Sequence, residues 1–324
     1  MIEKIFKVLL IIVTIFIITY GCVLIYEHFT EDNIPEISDE ENQKDKEKIS
    51  NEPIFTLEDY PKVDASLATQ PLTDVFIKNF TGEKEISEEY LDYTNTHPGY
   101  IRLIDGEVDL IVVTEPSEDE LKYAEEHNVE LEVIPVVREG FVFYVNAENP
   151  LVVAKTLNGE IQDIYSGKIT NWSEVGGNDE EIRAFQRPEN SGSQTGMLSL
   201  VMKDKELMEP LKEDLIETMS AIINLVSDYD NGVNSIGYSY YYYATTMFET
   251  IDSTVSDRIR LLAIDGVEPN NKTIKDEKYP LETAYYIVIR KDESKDSNTR
   301  KLVDAMLSDR GQAIAEEAGY VGVK

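Results

Sequence analysis

Cysteine, histidine and basic residues are all scarce in this chain of 324 residues. The single cysteine, Cys22, excludes an intramolecular disulfide, and the three separated histidines have no spacing typical of a metal site. The 30 lysines and arginines are outnumbered by 63 acidic residues, which gives a formal net charge of −33. Because nucleic-acid binding depends on Lys and Arg neutralising phosphates, the composition argues against a nucleic-acid partner. We also expect neither a metal nor a cofactor.

The first 26 residues differ in composition from the rest of the chain. Lys4 and Lys7 precede an uncharged run from Val8 to Tyr26. Its nineteen residues would extend about 28 Å as a helix, enough to cross the hydrocarbon layer of a membrane. Residues 1–26 are therefore either an uncleaved membrane anchor or a lipoprotein signal in which Cys22 is acylated. Both alternatives place the remainder on the extracellular face of the cell membrane.

An acidic segment follows, over residues 27–59. It is rich in Asp and Glu and poor in large apolar side chains. Such a segment cannot bury enough apolar surface to offset the entropy of ordering it. We expect a disordered linker between the membrane and a folded part that begins near residue 60.

The folded part alternates strand-like and helix-like patterns. The clearest predicted elements are a helix at Pro71–Phe80, a buried strand at Val108–Val113, and two strands at Val129–Val137 and Gly140–Val145. This alternation predicts an α/β fold with mainly parallel sheets, divided into two lobes. In open α/β sheets a ligand binds beyond the carboxyl ends of the strands, where helix N-termini also point.

Three loops place small hydroxyl residues directly before a helix. They are residues 64–71, 94–98 and 187–195, and the third combines Arg187 with a Ser-Gly-Ser turn. A helix N-terminus offers unpaired amide hydrogens and partial positive charge, and an arginine supplies a charge-assisted pair to an oxyanion. Taken singly, each loop is also explained by ordinary helix capping. Together they favour a site for a small tetrahedral oxyanion.

Several segments resemble one family in the same order along the chain. They are DASLATQPL (64–72), GEVDLIVVTEPS (106–117), IYSGKITNWSEVGG (164–177), RPENSGSQT (187–195), NSIGYSYYYY (234–243) and YPLETAYYIVIR (279–290). The set resembles the phosphate-binding proteins of ABC importers, which belong to the periplasmic-binding-protein-like type II family. The resemblance implies a two-lobed α/β fold with a ligand cleft between the lobes, formed by residues 60–324. Lobe 1 would contain residues 60–141 and 285–324, and lobe 2 residues 142–284.

The resemblance also implies which residues hold the anion. The implied set is Thr69, the backbone of Gln70, Thr96, Arg187, Ser191, Gly192 and Ser193. Glu115 would stand near the position of a family aspartate that accepts a hydrogen bond from the anion, although its spacing from Asp109 is one residue greater. Such an acceptor would favour a protonated phosphate over sulfate.

The expected function is capture of inorganic phosphate by hinge closure and its delivery to an ABC permease, by a monomer. A binding protein for another small oxyanion and a surface anion sensor remain as alternatives. A phosphate-ester hydrolase would need a nucleophile or metal ligands for which the sequence has no motif. We therefore expect a binding protein and not an enzyme.

Overall fold

The computed structural model describes residues 52–149, 153–154, 159–228 and 232–324, with the side chains of 153–154 left out. The predicted anchor or lipoprotein signal at 1–26 lies outside the described residues, as does linker sequence up to residue 51. Within the described ranges, no helix combines the length and apolar character needed to cross a membrane.

The strands are mostly short, with two long exceptions. Their bounds are β1 Val63–Ala65, β2 Leu110–Val113, β3 Leu131–Asn146, β4 Val153–Ala154, β5 Arg183–Ala184, β6 Ser235–Tyr240, β7 Ile259–Leu261, β8 Ala263–Ile264, β9 Glu282–Arg290 and β10 Val321–Gly322. The long strands β3 and β9 pair with each other at the centre of the main sheet, whose order is β1-β2-β9-β3-β6-β5. Strands β7 and β10 also pair with β3, and β4 pairs with β8.

Helices lie in most of the segments between these strands. Their bounds are α1 Gln70–Thr81, α2 Thr96–Ile104, α3 Glu118–Glu126, α4 Glu160–Tyr165, α5 Gly192–Gly196, α6 Met219–Ser227, α7 Phe248–Ile251, α8 Val255–Arg258, α9 Asn271–Lys275, α10 Asn298–Leu307 and α11 Asp309–Glu317. Short 3₁₀ turns lie at Glu88–Tyr90, Trp172–Val175 and Lys212–Asp214, and π-helical turns at Met197–Met202 and Tyr243–Met247.

Helix α1 shows why the local pattern folds as predicted. Leu72, Phe76 and Phe80 recur every four residues, and all three are fully buried. Pro71 lies in the first turn, where its missing N–H leaves no intrahelical bond unmade. Gly82 ends the helix in a left-handed conformation, at φ 76°. The predicted helix at Pro71–Phe80 is confirmed to within one residue at each end.

The main sheet is mostly antiparallel, so the expectation of mainly parallel sheets is wrong. Strand β9 runs antiparallel to both β2 and β3, and β6, β7 and β10 each run antiparallel to β3. Only the pairs β1–β2, β5–β6 and β4–β8 are parallel among the described strands. The helical segments between strands indicated crossovers, but β9 arrives from far along the chain and inserts between β2 and β3.

The two strands predicted at Val129–Val137 and Gly140–Val145 are one continuous strand, β3. The charged pair Arg138 and Glu139 interrupts the apolar pattern, yet both residues stay paired with β9 and both side chains have hydrogen-bond partners. Arg138 donates to Glu277 and Glu282, both at 2.6 Å. Glu139 is buried and accepts hydrogen bonds from the amides of Gly140 (2.8 Å) and Tyr242 (3.2 Å).

Strand β3 also joins the two parts of the sheet. Residues up to Gly140 pair with β9, and residues from Phe141 onward pair with β6 and β7. The fold is thus the two-lobed α/β architecture that the sequence predicts. The residue ranges assigned to the two lobes stay a prediction.

Candidate functional site

A cavity of about 250 Å³ opens where loops from distant parts of the chain meet. Its lining comes from the loop after β1, the start of α2, the residue after β2, the loop before α5 and the residues before α6. Within the described part of the chain, the lining consists of Ser66, Leu67, Ala68, Asn95, Thr96, His97, Pro98, Thr114, Arg187, Pro188, Glu189, Asn190, Ser191, Gly192, Ser193, Glu217, Thr218, Met219 and Tyr240.

The structure brings five of the eight predicted site residues together in this cavity. They are Thr96, Arg187, Ser191, Gly192 and Ser193. Two of the three predicted loops therefore meet through the residues that the sequence singled out. The other three predicted residues, Thr69, Gln70 and Glu115, lie outside this lining.

The first loop meets the cavity through Ser66 and not through Thr69. Thr69 is fully buried at the N-cap position of α1, and its hydroxyl donates to the carbonyls of Ser66 and Val112. Those bonds hold the loop against β2. Ser66 lies three residues earlier, and its hydroxyl shares a hydrogen bond of 2.9 Å with that of Thr69. Thr69 directly precedes the helix, but within the described residues its hydroxyl makes no capping hydrogen bond and instead fixes the backbone of the loop.

Asp64 fastens the first loop to the second. Its side chain is fully buried and accepts hydrogen bonds from the amides of Ala65 and Thr94, both at 2.7 Å. It also accepts from the Thr94 hydroxyl and from Arg102, each at 2.6 Å. Because Thr94 directly precedes Asn95 and Thr96, this one carboxylate positions both loops at the cavity.

Hydrogen bonds hold Arg187 in place and leave its Nε without a partner among the described residues. Its backbone amide donates to the Tyr238 hydroxyl at 2.9 Å, and its Nη1 donates to the Ile216 carbonyl at 3.2 Å. Burial lowers the pKa of the Arg187 guanidinium, with nearby phenols opposing that shift. Arginine nonetheless stays protonated, so the cavity contains a desolvated positive charge.

Among the described residues, three buried polar atoms at the cavity have no hydrogen-bond partner. They are Thr114 Oγ1, Arg187 Nε and Ser193 Oγ. Leaving a buried donor unsatisfied costs about 1–3 kcal/mol. Three such atoms lining one cavity, from separate loops, are the arrangement expected of a site that completes its hydrogen bonds by taking up a ligand.

Gly192 is the point of closest approach between the loops. A Cβ atom at this position would lie 2.5 Å from Thr114 Oγ1 and 2.9 Å from Thr96 Oγ1. Two hydrogen bonds bridge the same region. Asn190 donates to Asp119 at 2.9 Å, and Ser199 donates to Glu115. The loop before α5 therefore packs against the carboxyl end of β2 and the start of α2. Only a residue without a side chain fits between them.

Thr114 is the main site residue that the sequence reasoning missed. It follows the last residue of β2, at the carboxyl end where a ligand is expected. Glu115, one residue later, is directed to Ser199. The spacing from Asp109 was the available signal, because counting one residue fewer selects position 114. Ser66, Asn95, His97 and Tyr240 lie within loops or segments that the sequence singled out, but none of the four was chosen there as a ligand residue.

Comparison with known proteins gives the class of protein. A family profile described as the PBP superfamily domain matches residues 59–310, well over half of the chain. The chain belongs to this superfamily.

Curated relatives and solved structures show which members of the superfamily the chain resembles. The chain is 25% identical over 264 residues to the phosphate-binding protein PstS of Staphylococcus aureus, spanning 80% of this chain and 77% of that protein. A Clostridium perfringens protein assigned to phosphate ABC transport and solved with bound phosphate is 23% identical, with a TM-score of 0.61. An ABC-type phosphate transport receptor from Vibrio cholerae is 20% identical, with a TM-score of 0.57. The alignments cover 81% and 80% of this chain and 98% of each of those chains.

Proposed function

We propose that this protein is the substrate-binding component of an ABC importer and that its substrate is inorganic phosphate. The observation that carries the proposal is the set of three unpartnered buried atoms, Thr114 Oγ1, Arg187 Nε and Ser193 Oγ, around one cavity. Support also comes from the curated relatives, which are named phosphate-binding proteins.

The chemistry of these donors suits a tetrahedral oxyanion. The Arg187 guanidinium offers a charge-assisted hydrogen bond, roughly twice as strong as a neutral one. The hydroxyls of Thr114 and Ser193 can each donate to an anionic oxygen or accept from a protonated one. Thr96 and Ser191 add hydroxyls at the same cavity. We therefore assign to Thr114 the place that the resemblance gave to Glu115.

We propose that hinge closure around the docked anion captures it. The donors come from loops on both sides of Gly192, so they converge on one anion only when those loops are in contact. Separation of the loops would open the cavity and release the ligand. We propose that the closed form delivers phosphate to a permease, that the chain acts on the extracellular face of the membrane, and that it binds without turnover.

The replacement Arg187→Ala tests the proposal directly. It removes the cation of the cavity, and we expect the affinity for phosphate to fall at least tenfold, about the value of one charge-assisted hydrogen bond. Isothermal titration calorimetry measures the change. Arg183→Ala is the matched control, since Arg183 pairs with Asp214 at 2.7 Å and does not line the cavity. Equal phosphate affinity in wild type and Arg187→Ala would overturn the assignment.

Gly192→Ala tests the role of close approach. The added methyl group would lie 2.5 Å from Thr114 Oγ1, so the loops must separate or Thr114 must turn away. We expect at least about a tenfold loss of phosphate affinity, because misplacing one charge-assisted partner has an effect of this size. Gly99→Ala is the control, since its Cβ would meet Asp64 at an ordinary 3.7 Å. Unchanged binding in Gly192→Ala would show that closure at this glycine is not required.

A further inference from the structure

His97 lies at the cavity and is not one of the proposed phosphate donors. It is the second residue of α2, next to Thr96, and its side chain is 41% exposed. His97 is one of the residues that line the cavity. Its position therefore allows contact with a bound ligand.

A buried carboxylate fixes the orientation of this imidazole. His97 Nδ1 lies 2.9 Å from Oε1 of Glu120, whose side chain is fully buried. The other oxygen of Glu120 accepts a hydrogen bond of 2.7 Å from the amide of Ser117, as part of the capping box of α3. Because the carboxylate is held at both oxygens, Nδ1 is committed to it. Nε2 is the nitrogen left for a ligand.

The negative charge of the Glu120 carboxylate also suits a protonated His97. Burial raises the pKa of Glu120, and its hydrogen bonds to Ser117 and His97 oppose that shift. The only ion pair to Glu120 in the described part of the chain is the one with His97. A protonated His97 therefore compensates a carboxylate that is otherwise costly to bury.

We propose that His97 is an anion-binding residue, and that its imidazolium supplies a second cation to the cavity beside Arg187. In the protonated form Nε2 donates a charge-assisted hydrogen bond to the anion, and in the neutral form Nε2 is only an acceptor. Affinity for phosphate then rises as the pH falls through the titration of this imidazole. The proposal rests on the proposed function, because the anion is the ligand of the same cavity.

Other charged groups lie around the cavity and can also affect how phosphate binding depends on pH. They are Glu120 on α3, Arg187 and Glu189 in the loop before α5, and Glu217 before α6, with Glu115 and Asp119 bonded to Ser199 and Asn190 nearby. Glu189 and Glu217 are exposed to solvent, so they are well screened. His97 is the only histidine among these groups.

The test compares three proteins by titration calorimetry with inorganic phosphate from pH 5.5 to 8.5. They are the wild type, His97→Asn and His127→Asn. His127 is a matched control at the end of α3, where its Nδ1 lies 2.8 Å from the Tyr123 carbonyl, and it does not line the cavity. Titration of phosphate itself is common to all three, so the ratio of affinities isolates the histidine. We expect wild type to bind about tenfold more tightly than His97→Asn at pH 5.5 and about equally at pH 8.5.

A constant ratio across the pH range would overturn the proposal, because a histidine that donates to the anion only as the imidazolium must lose its effect at high pH. A second measurement does not depend on the variant's folding. In the wild type, the NMR titration of His97 should shift to higher pH when phosphate is added, and that of His127 should not. An unshifted His97 in a protein that binds phosphate would refute this inference alone. Absence of phosphate binding in the wild type at every pH would refute the proposed function and this inference with it.

Discussion

Replacing Asp64 with alanine is expected to lower the free energy of unfolding by about 3–5 kcal/mol, the usual effect of breaking a buried ion pair. The carboxylate is fully buried and accepts four hydrogen bonds, from Ala65, Thr94 (two) and Arg102. Alanine leaves all four donors without this partner. Because Thr94 lies two residues before Thr96, we also expect the loop at residues 94–98 to become more mobile. Chemical denaturation measures the free energy.

The chain offers a close control in Asp92. Arg102 also donates to Asp92 at 3.2 Å, but that carboxylate side chain is 72% exposed. Exposed ion pairs contribute about 0–1 kcal/mol, so Asp92→Ala should unfold nearly as the wild type does. If the two variants were equally stable, Asp64 would not have the structural role described here.

Glu139→Gln is expected to stabilise the protein at alkaline pH. Glu139 lies in β3 at the junction between the β9-paired and β6-paired segments, and it is fully buried. Burial raises its pKa to about 8, against the opposing effect of hydrogen bonds from the amides of Gly140, Tyr242 and Tyr241. The ion pairs of the described residues include none to Glu139, so its ionised form is uncompensated. Glutamine keeps the acceptor oxygen for the amides and removes the charge.

The direction of the pH effect on stability follows from the raised pKa of Glu139. Below the ordinary pKa of 4.5 both folded and unfolded chains hold the proton, and the ionisation of Glu139 does not affect stability. Between 4.5 and about 8 the unfolded chain releases the proton first, so the folded state loses stability as the pH rises. Above that range the loss is complete and on the order of 5 kcal/mol.

Thermal melts of wild type and Glu139→Gln at pH 5 and pH 9 measure this effect. The advantage of the variant should be small at pH 5 and large at pH 9. Glu126→Gln is the control, because Glu126 is exposed on α3. A difference that does not change with pH would mean that Glu139 is already ionised in the folded protein near pH 5.

The elements that the sequence predicted well are those with a local cause. Helix α1 was predicted from the recurrence of Leu72, Phe76 and Phe80, which is enough to define a buried face. Arg187, Ser191 and Ser193 were identified because a cation and two hydroxyls lie within one loop. In both cases the residues that act together are close along the chain, so the pattern is visible without the fold.

Features that depend on distant segments could not be predicted in this way. The antiparallel sheet requires β9 to insert between β2 and β3, which no local pattern reports. The carboxylate of Asp64 joins two loops across 30 residues. The choice between Thr114 and Glu115 depends on which side chain the end of β2 turns toward the cavity, and a one-residue shift reverses that direction.

The most direct test is a crystal structure of the protein grown with phosphate. We expect one tetrahedral anion within about 3.2 Å of Thr114 Oγ1, Ser193 Oγ and Arg187 Nε, the three buried atoms at the cavity that have no partner among the described residues. An anion bound elsewhere, or these three atoms directed away from it, would contradict the central claim that one cavity binds the oxyanion through them.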